Sequence, residues 1–170
     1  VVAVAGALFA ASAALAQDRS DWTERQRGLY LMRAGDCEAC HTAVPDKPLA
    51  GGYALETPFG IIHTPNLTPD ADTGLGQGTS EDFRKAMNEG VAKGGHRLYP
   101  AFPYTYFTIV TRADSDALYA YLQSIEPIRN RTPEPQFWWP LNWRVLMRGW
   151  NLVNFEDRAF EPDPSRSPAW

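Results

Sequence analysis

Cys37-Glu38-Ala39-Cys40-His41 places two thiols one helical turn apart, with an imidazole directly after the second. Thiols at that spacing can add to the two vinyl groups of one porphyrin, and the adjoining His41 then lies under the iron as its proximal ligand. C-x-x-C-H is the attachment signature of c-type haem, so the chain is expected to hold one covalent haem c through Cys37 and Cys40. Two other chemistries use such a pair. A structural zinc ion takes four ligands, and beyond the motif only His63 and His96 remain to complete a set, because the chain has two cysteines. A thioredoxin-type dithiol needs a βαβ context with a strand leading into it, whereas the residues before Cys37 read as helix. Haem attachment is the favoured reading, with zinc and dithiol chemistry as its alternatives. If both cysteines become thioethers, no disulfide remains to be formed.

Three helices are expected to position the motif. The first runs from about Asp21 to Ala34, with Asp21 and Glu24 as a capping box and Gly35 as its stop. Gly28, Leu29 and Met32 lie near one face of it. The second starts at Thr79 or Ser80 and carries Phe83, Ala86 and Met87 to Gly90. The third starts near Asp114 or Ser115, and its Leu118, Tyr121 and Leu122 make a core-facing stripe at i, i+3, i+4. Between the first two helices, Pro45 to Gly78 is a Pro/Gly-rich stretch long enough to cover a cofactor edge. No stretch shows sustained strand alternation, so the expected class is all-α with much irregular chain. Thirteen glycines and fourteen prolines fit long loops wrapping a few helices.

Val1 to Ala16 carries no charge, and Ala14-Leu15-Ala16 fits the small-x-small cleavage rule, which would make Gln17 the mature start. The stretch is short and Ala-rich for a membrane span. It has no initiating Met and no basic segment, so the sequence is expected to begin inside a signal peptide. Export agrees with haem, because c-type haem is attached on the outer side of the bacterial inner membrane. The expected location is the periplasm, at the outer face of that membrane. The net charge of −4 argues against a nucleic-acid partner and gives no polybasic membrane signal.

Gly28-Leu29-Tyr30, Cys37 to His41 and Ala117-Leu118-Tyr119-Ala120-Tyr121-Leu122 resemble class I cytochrome c. The resemblance implies that Gly28 lets the first helix cross the last one closely, near Tyr121. More narrowly, four motifs resemble the first haem domain of the multihaem cytochrome c subunits of membrane-bound bacterial dehydrogenases. They are Pro48 to Gly52, Glu56 to Gly60, Thr64-Pro65-Asn66-Leu67-Thr68-Pro69-Asp70, and Leu98-Tyr99-Pro100-Ala101. Those subunits serve alcohol, gluconate and sorbitol dehydrogenases, and molybdenum hydroxylases of the nicotinate and isoquinoline type. The resemblance implies the class I cytochrome c fold, a catalytic dehydrogenase subunit as partner, and further haem domains or a quinone or oxidase as acceptor. In such subunits another C-x-x-C-H domain follows a segment like Phe160 to Trp170. The chain is therefore read as the first domain of a two- or three-haem subunit, with a single-haem protein as the alternative. Its expected organisation is a signal peptide at 1–16, a cytochrome c domain at 17–127, and a Trp/Pro-rich extension or linker at 128–170.

The chain departs from many relatives on the distal side. They read Tyr-Pro-Ala-Met-Pro-Tyr, whereas this chain has Tyr99-Pro100-Ala101-Phe102-Pro103-Tyr104, and a phenyl ring cannot ligate iron. Tyr99 and Phe102 are expected in the haem pocket, and the sixth ligand is left among Met147, His96 and His63. Met32 and Met87 fit helix cores better. The extension holds five of the six tryptophans, Trp138, Trp139, Trp143, Trp150 and Trp170, around an expected short helix from about Leu141 to Phe155. Tryptophan at that density is expected to be buried, against this domain or the next. The other use for it is contact with the catalytic subunit or a membrane surface.

Two function classes follow. The first is an electron carrier with no catalytic residues of its own, because no Ser/His/Asp or paired-carboxylate constellation surrounds the motif. The second is a haem protein with an open sixth site, such as a gas sensor or a peroxidase-like centre using His96 and Arg97.

Overall fold

A glycine fixes the packing of the two longest helices. In the computed structural model, which describes residues 23–161, 163 and 165, α1 covers 23–34 and α5 covers Arg112–Ser124. Gly28 of α1 lies against α5 so closely that a Cβ there would strike the Ala117 carbonyl oxygen and come within 2.6 Å of the Tyr121 Cβ. Met32, Ala117, Leu118 and Leu122 are buried, and Tyr121 is half-buried. The expected crossing is present, on the expected side chains. Asp21 of the expected capping box lies outside the described residues, as do the signal segment 1–16 and Trp170.

Contacts divide the chain into two interleaved units. The first comprises the described residues through Tyr53, together with Thr64–Gln77 and Asp116–Thr132. It contains α1, the one-turn α2 (Cys37–His41) and most of α5. Leu49 and Ala50 join its core. The second unit comprises Ala54–His63, Gly78–Ser115 and the residues from Pro133 onward.

A small sheet in the second unit corrects the all-α expectation. Strands β1 (Ala54–Thr57) and β2 (Gly60–His63) form a hairpin with Thr57 opposite Gly60, and β3 (Gln136–Phe137) pairs with β2 to make the order β1-β2-β3. The Thr57 hydroxyl shapes the turn by donating to the Gly60 carbonyl at 2.7 Å and accepting from the Phe59 N–H at 3.1 Å. Strands this short carry too few residues for a period of two to show, and every β2 residue is half-buried. β3 joins from far along the chain, which local pattern cannot reveal. The class I cytochrome part of the expectation is unaffected.

The second helix behaves as its sequence demands. Thr79 caps α3 (Ser80–Arg84) in a full capping box with Asp82. The helix continues as a π-helical turn, Lys85–Glu89, and ends at Gly90. α5 starts at Arg112, earlier than expected, because the Thr111 hydroxyl accepts from the Asp114 N–H at 3.2 Å and donates to its carboxylate at 2.7 Å. In the extension, successive turns lead into α6 (Leu146–Asn154), shorter than the expected Leu141–Phe155. The completely buried Tyr104 of α4 (Tyr104–Phe107) anchors α6 by donating to the Asn151 side-chain oxygen at 3.1 Å, with Trp150 and Phe155 around its ring. Trp138, Trp139 and Trp143 are each more than half exposed, so the part of the expectation that buries them against this domain does not hold for these three. Trp138 follows β3 directly, and Trp139 and Trp143 pack edge-on against each other. Among the described residues, no helix is long and apolar enough to cross a membrane.

The Gly28 contact is backbone against side chain and carbonyl, so it has no flexible atom to give way. Gly28→Val is expected to lower unfolding stability by about 3 kcal/mol, the upper end for overpacking, read as a shifted midpoint in guanidinium denaturation of the haem-loaded protein. A variant with wild-type stability would show that the two helices can separate without cost.

Candidate haem site

The haem motif is placed by a corner. Gly35 and Asp36 close α1 with N–H donations to the Leu31 and Arg33 carbonyls at 2.8 and 3.1 Å. Asp36 then adopts the left-handed conformation, φ 50°, as the N-cap of α2. The next residue is Cys37, so both thiols and the imidazole sit on one short turn of helix that starts where α1 stops. Cys37 is half-buried, Cys40 is exposed, and the two are free thiols. Burial pushes the Cys37 thiol above its usual range, so it is protonated at neutral pH.

His41 is held from the other side of the ring. Its Nδ1 lies 2.9 Å from the Pro65 carbonyl oxygen. A carbonyl only accepts, so Nδ1 carries the proton and Nε2 presents its lone pair. Desolvation lowers the pKa of His41, against a smaller opposing effect from the Pro65 bond, so the ring is neutral near pH 7. Two uncrosslinked thiols one turn apart and a neutral imidazole with a free Nε2 are the donor set that a c-type haem requires, and the residues present fit that group.

The Pro65 carbonyl lies close against Gly51. The Gly51 N–H donates to the His41 carbonyl at 2.7 Å, and its φ of +71° is a conformation that side chains resist. A Cβ at Gly51 would also strike the Pro65 carbonyl oxygen. The motif from Thr64 to Asp70 is legible in the sequence as a cluster of turn residues, but its link to His41 spans 24 positions and has no local signature. Among the described residues, no cluster of three or more His, Cys, Asp or Glu could hold a metal ion, which leaves the zinc alternative without a ligand set.

The expected distal residues all belong to the second unit. Tyr99 is buried, packs edge-on against Phe137 with centroids 4.5 Å apart, and carries the Arg144 guanidinium 4.8 Å above its ring. Phe102 is half-buried and stacks on Phe107, with centroids 5.3 Å apart. His63 lies on β2 opposite Ala54, and its Nδ1 is buried with no hydrogen-bond partner. His96 is exposed beside Gly94 and Gly95, with its pKa lowered by partial desolvation and then by Arg144. Met147 is half-buried on α6.

The cytochrome c family matches residues 26–126, from within α1 to just beyond α5. The chain belongs to the cytochrome c family. Membership implies a covalently bound haem c, in agreement with the thiols and imidazole of α2. The chain is 46% identical over 145 residues to a nicotinate dehydrogenase subunit of Pseudomonas putida, an alignment covering 85% of this cytochrome and 12% of that protein. It is 42% identical over 158 residues to the gluconate 2-dehydrogenase cytochrome c subunit of Pantoea cypripedii, covering 92% of this chain and 36% of the relative. It is 36% identical over 168 residues to the cytochrome c subunit of the quinone-type alcohol dehydrogenase of Gluconacetobacter polyoxogenes, covering 98% and 36%. This cytochrome thus spans little more than a third, or less, of each of these relatives.

Thioethers survive conditions that extract a merely coordinated haem. Chain produced with a haem-attachment system is expected to gain the mass of one haem and to keep its colour in acidified acetone. The Cys37→Ala, Cys40→Ala double variant should lose both, and haem that persists covalently in that variant would place the attachment elsewhere.

Proposed function

We propose that this chain is an electron-relay domain of a dehydrogenase cytochrome subunit, with one haem c bonded to Cys37 and Cys40 and ligated by His41 Nε2. The observation that carries the proposal is the His41 Nδ1 donation to the Pro65 carbonyl, which leaves Nε2 for iron. When bound, haem c accepts and passes on one electron at a time without other chemistry. Cys37 and Cys40 would hold the porphyrin through thioethers, the Pro65 bond orients the imidazole, and the packing of α1 on α5 supports the helix end from which α2 starts. In this reading residues 1–16 direct export, 17–127 carry the haem, and 128–170 lead toward further haem domains, with Ile128 and Asn130 at their start still bracing the haem-bearing unit. The location is the periplasm, at the outer face of the inner membrane.

A partner surface supports the subunit part of the proposal. Trp138, Trp139, Trp143, Val145, Leu146, Leu152 and Val153 are exposed along one run of chain. Between Glu134 and Glu156 there is no acidic residue and no lysine, only Arg144 and Arg148 among the charged side chains. Abundant Trp with Arg, and no Lys, Asp or Glu, is the composition of a protein–protein interface core. The catalytic dehydrogenase subunit or a further haem domain of the same assembly is the proposed occupant. Electrons would enter from the catalytic subunit and leave toward another haem, a quinone or an oxidase.

Tyr99 and Phe102 remain the proposed distal pocket residues, on the strength of the sequence motif that carries Met in relatives. A thioether ligand favours ferrous iron and raises the potential. Phe102→Met is therefore expected to raise the midpoint potential, to add the sulfur-to-iron charge-transfer band, and to slow carbon monoxide binding to the reduced protein. If wild type already shows that band and the variant changes nothing, the sixth ligand lies elsewhere, with Met147, His96 and His63 the next substitutions. For the relay itself, sugars and alcohols alone should leave the oxidised protein unreduced, whereas a reduced partner should reduce it. Substrate-dependent reduction of the isolated chain would overturn the relay reading.

A further inference from the structure

We infer that Asn66 is a positioning residue for the iron ligand: by anchoring the Pro65 carbonyl it sets the hydrogen bond to His41, and through it the redox potential. The inference rests on the haem reading above. Pro65 has no N–H to bond, so besides the His41 contact its place depends on what holds the residues on either side. Upstream, the Gly52 N–H donates to the Thr64 carbonyl at 2.8 Å, and the Thr64 N–H donates to the Tyr53 carbonyl at 3.0 Å. Downstream, the Leu67 N–H donates to the Leu49 carbonyl at 2.9 Å, and the side chain of Asn66, the residue bonded to the Pro65 carbonyl carbon, adds the nearest anchor.

Asn66 is 3% exposed, and its amide makes four hydrogen bonds. Its Nδ2 donates to the Ile128 carbonyl at 2.7 Å and to the Thr73 hydroxyl at 3.1 Å. Its Oδ1 accepts from the Thr68 N–H at 2.9 Å and from the Thr68 hydroxyl at 2.8 Å. That fills the whole capacity of the amide. The anchors are themselves tied down. The Ile128 N–H donates to the Thr68 hydroxyl at 3.1 Å, the Thr73 hydroxyl donates to Asp70 at 2.6 Å, and the Asn130 side chain donates to the Ala50 carbonyl at 2.9 Å. Ala50 precedes Gly51, which lies close against the Pro65 oxygen. The carbonyl therefore has Gly51 close against its oxygen and the Asn66 anchor on the residue that follows it.

The consequence for iron follows from ligand basicity. An N–H···O=C bond from the non-ligating nitrogen makes an imidazole a stronger donor, which favours ferric iron, and loosening it favours ferrous iron. A residue acting only on stability would not move this balance.

The experiment uses the haem-loaded full chain and two readouts, the midpoint potential and the solvent exchange of the His41 Nδ1 proton seen by NMR in the reduced state. Asn66→Ala is expected to raise the potential and to speed that exchange. Asn88→Ala is the control, because Asn88 is also buried and donates to two backbone carbonyls, those of Thr108 and Val110, away from this anchor. It should cost stability and leave both readouts unchanged. If Asn66→Ala does not retain haem, Thr73→Val, which removes one of the four Asn66 contacts, should move both readouts the same way by less. Wild-type potential and exchange in a haem-retaining Asn66 or Thr73 variant, or an equal shift in Asn88→Ala, would overturn the inference while leaving the haem reading intact. A wild-type chain without covalent haem or His41 ligation would instead remove both.

Discussion

The hydrogen bond between His41 and the Pro65 carbonyl is the constraint on which the rest of the first unit depends. It decides which imidazole nitrogen is free, and a ring with the other tautomer would present an N–H to iron. A bond across 24 residues also has to be kept at length by packing. The close passage of α1 over α5, the left-handed corner at Asp36 and the positive φ of Gly51 all serve that end. Each costs local conformational freedom and is offset by the fixed position of one side chain.

Local chemistry was easy to read in this chain, and long-range pairing was not. The C-x-x-C-H spacing, the helix start at Thr79 or Ser80, and the Leu118, Tyr121 and Leu122 stripe each announce themselves within one or two helical turns. The Gly28 crossing was legible only through family resemblance, since nothing near Gly28 in sequence names Ala117 or Tyr121. The hairpin from Ala54 to His63 has no clear sequence signal, because β1 alternates over only four residues and β2 is half-buried throughout. Its pairing with Gln136 and Phe137 depends on a segment more than seventy residues later. The Asn66 anchor was hidden for the same reason: the turn residues around it are visible, their partner Ile128 is not.

The tryptophans illustrate a different limit. Their density between Pro133 and Phe155 signals burial, yet a sequence does not say in whose core. Trp150 is packed near Tyr104, whereas Trp138, Trp139 and Trp143 face outward together with Leu152 and Val153. An apolar surface on that scale is costly for a free domain in water. In the proposed assembly, covering it would contribute to affinity.

The Asn66 network has a bearing on modularity. A boundary after Pro127, where the helical pattern runs out, looks like a natural place to divide the polypeptide. Ile128 and Asn130 nevertheless supply the carbonyl, N–H and amide that brace the segments bearing Pro65 and Gly51. A fragment ending at Pro127 would keep every residue of the haem motif and lose part of the frame behind it. Recombination or excision at that joint would therefore yield a protein that binds its pigment yet holds it loosely, and the transferable module extends at least through Asn130.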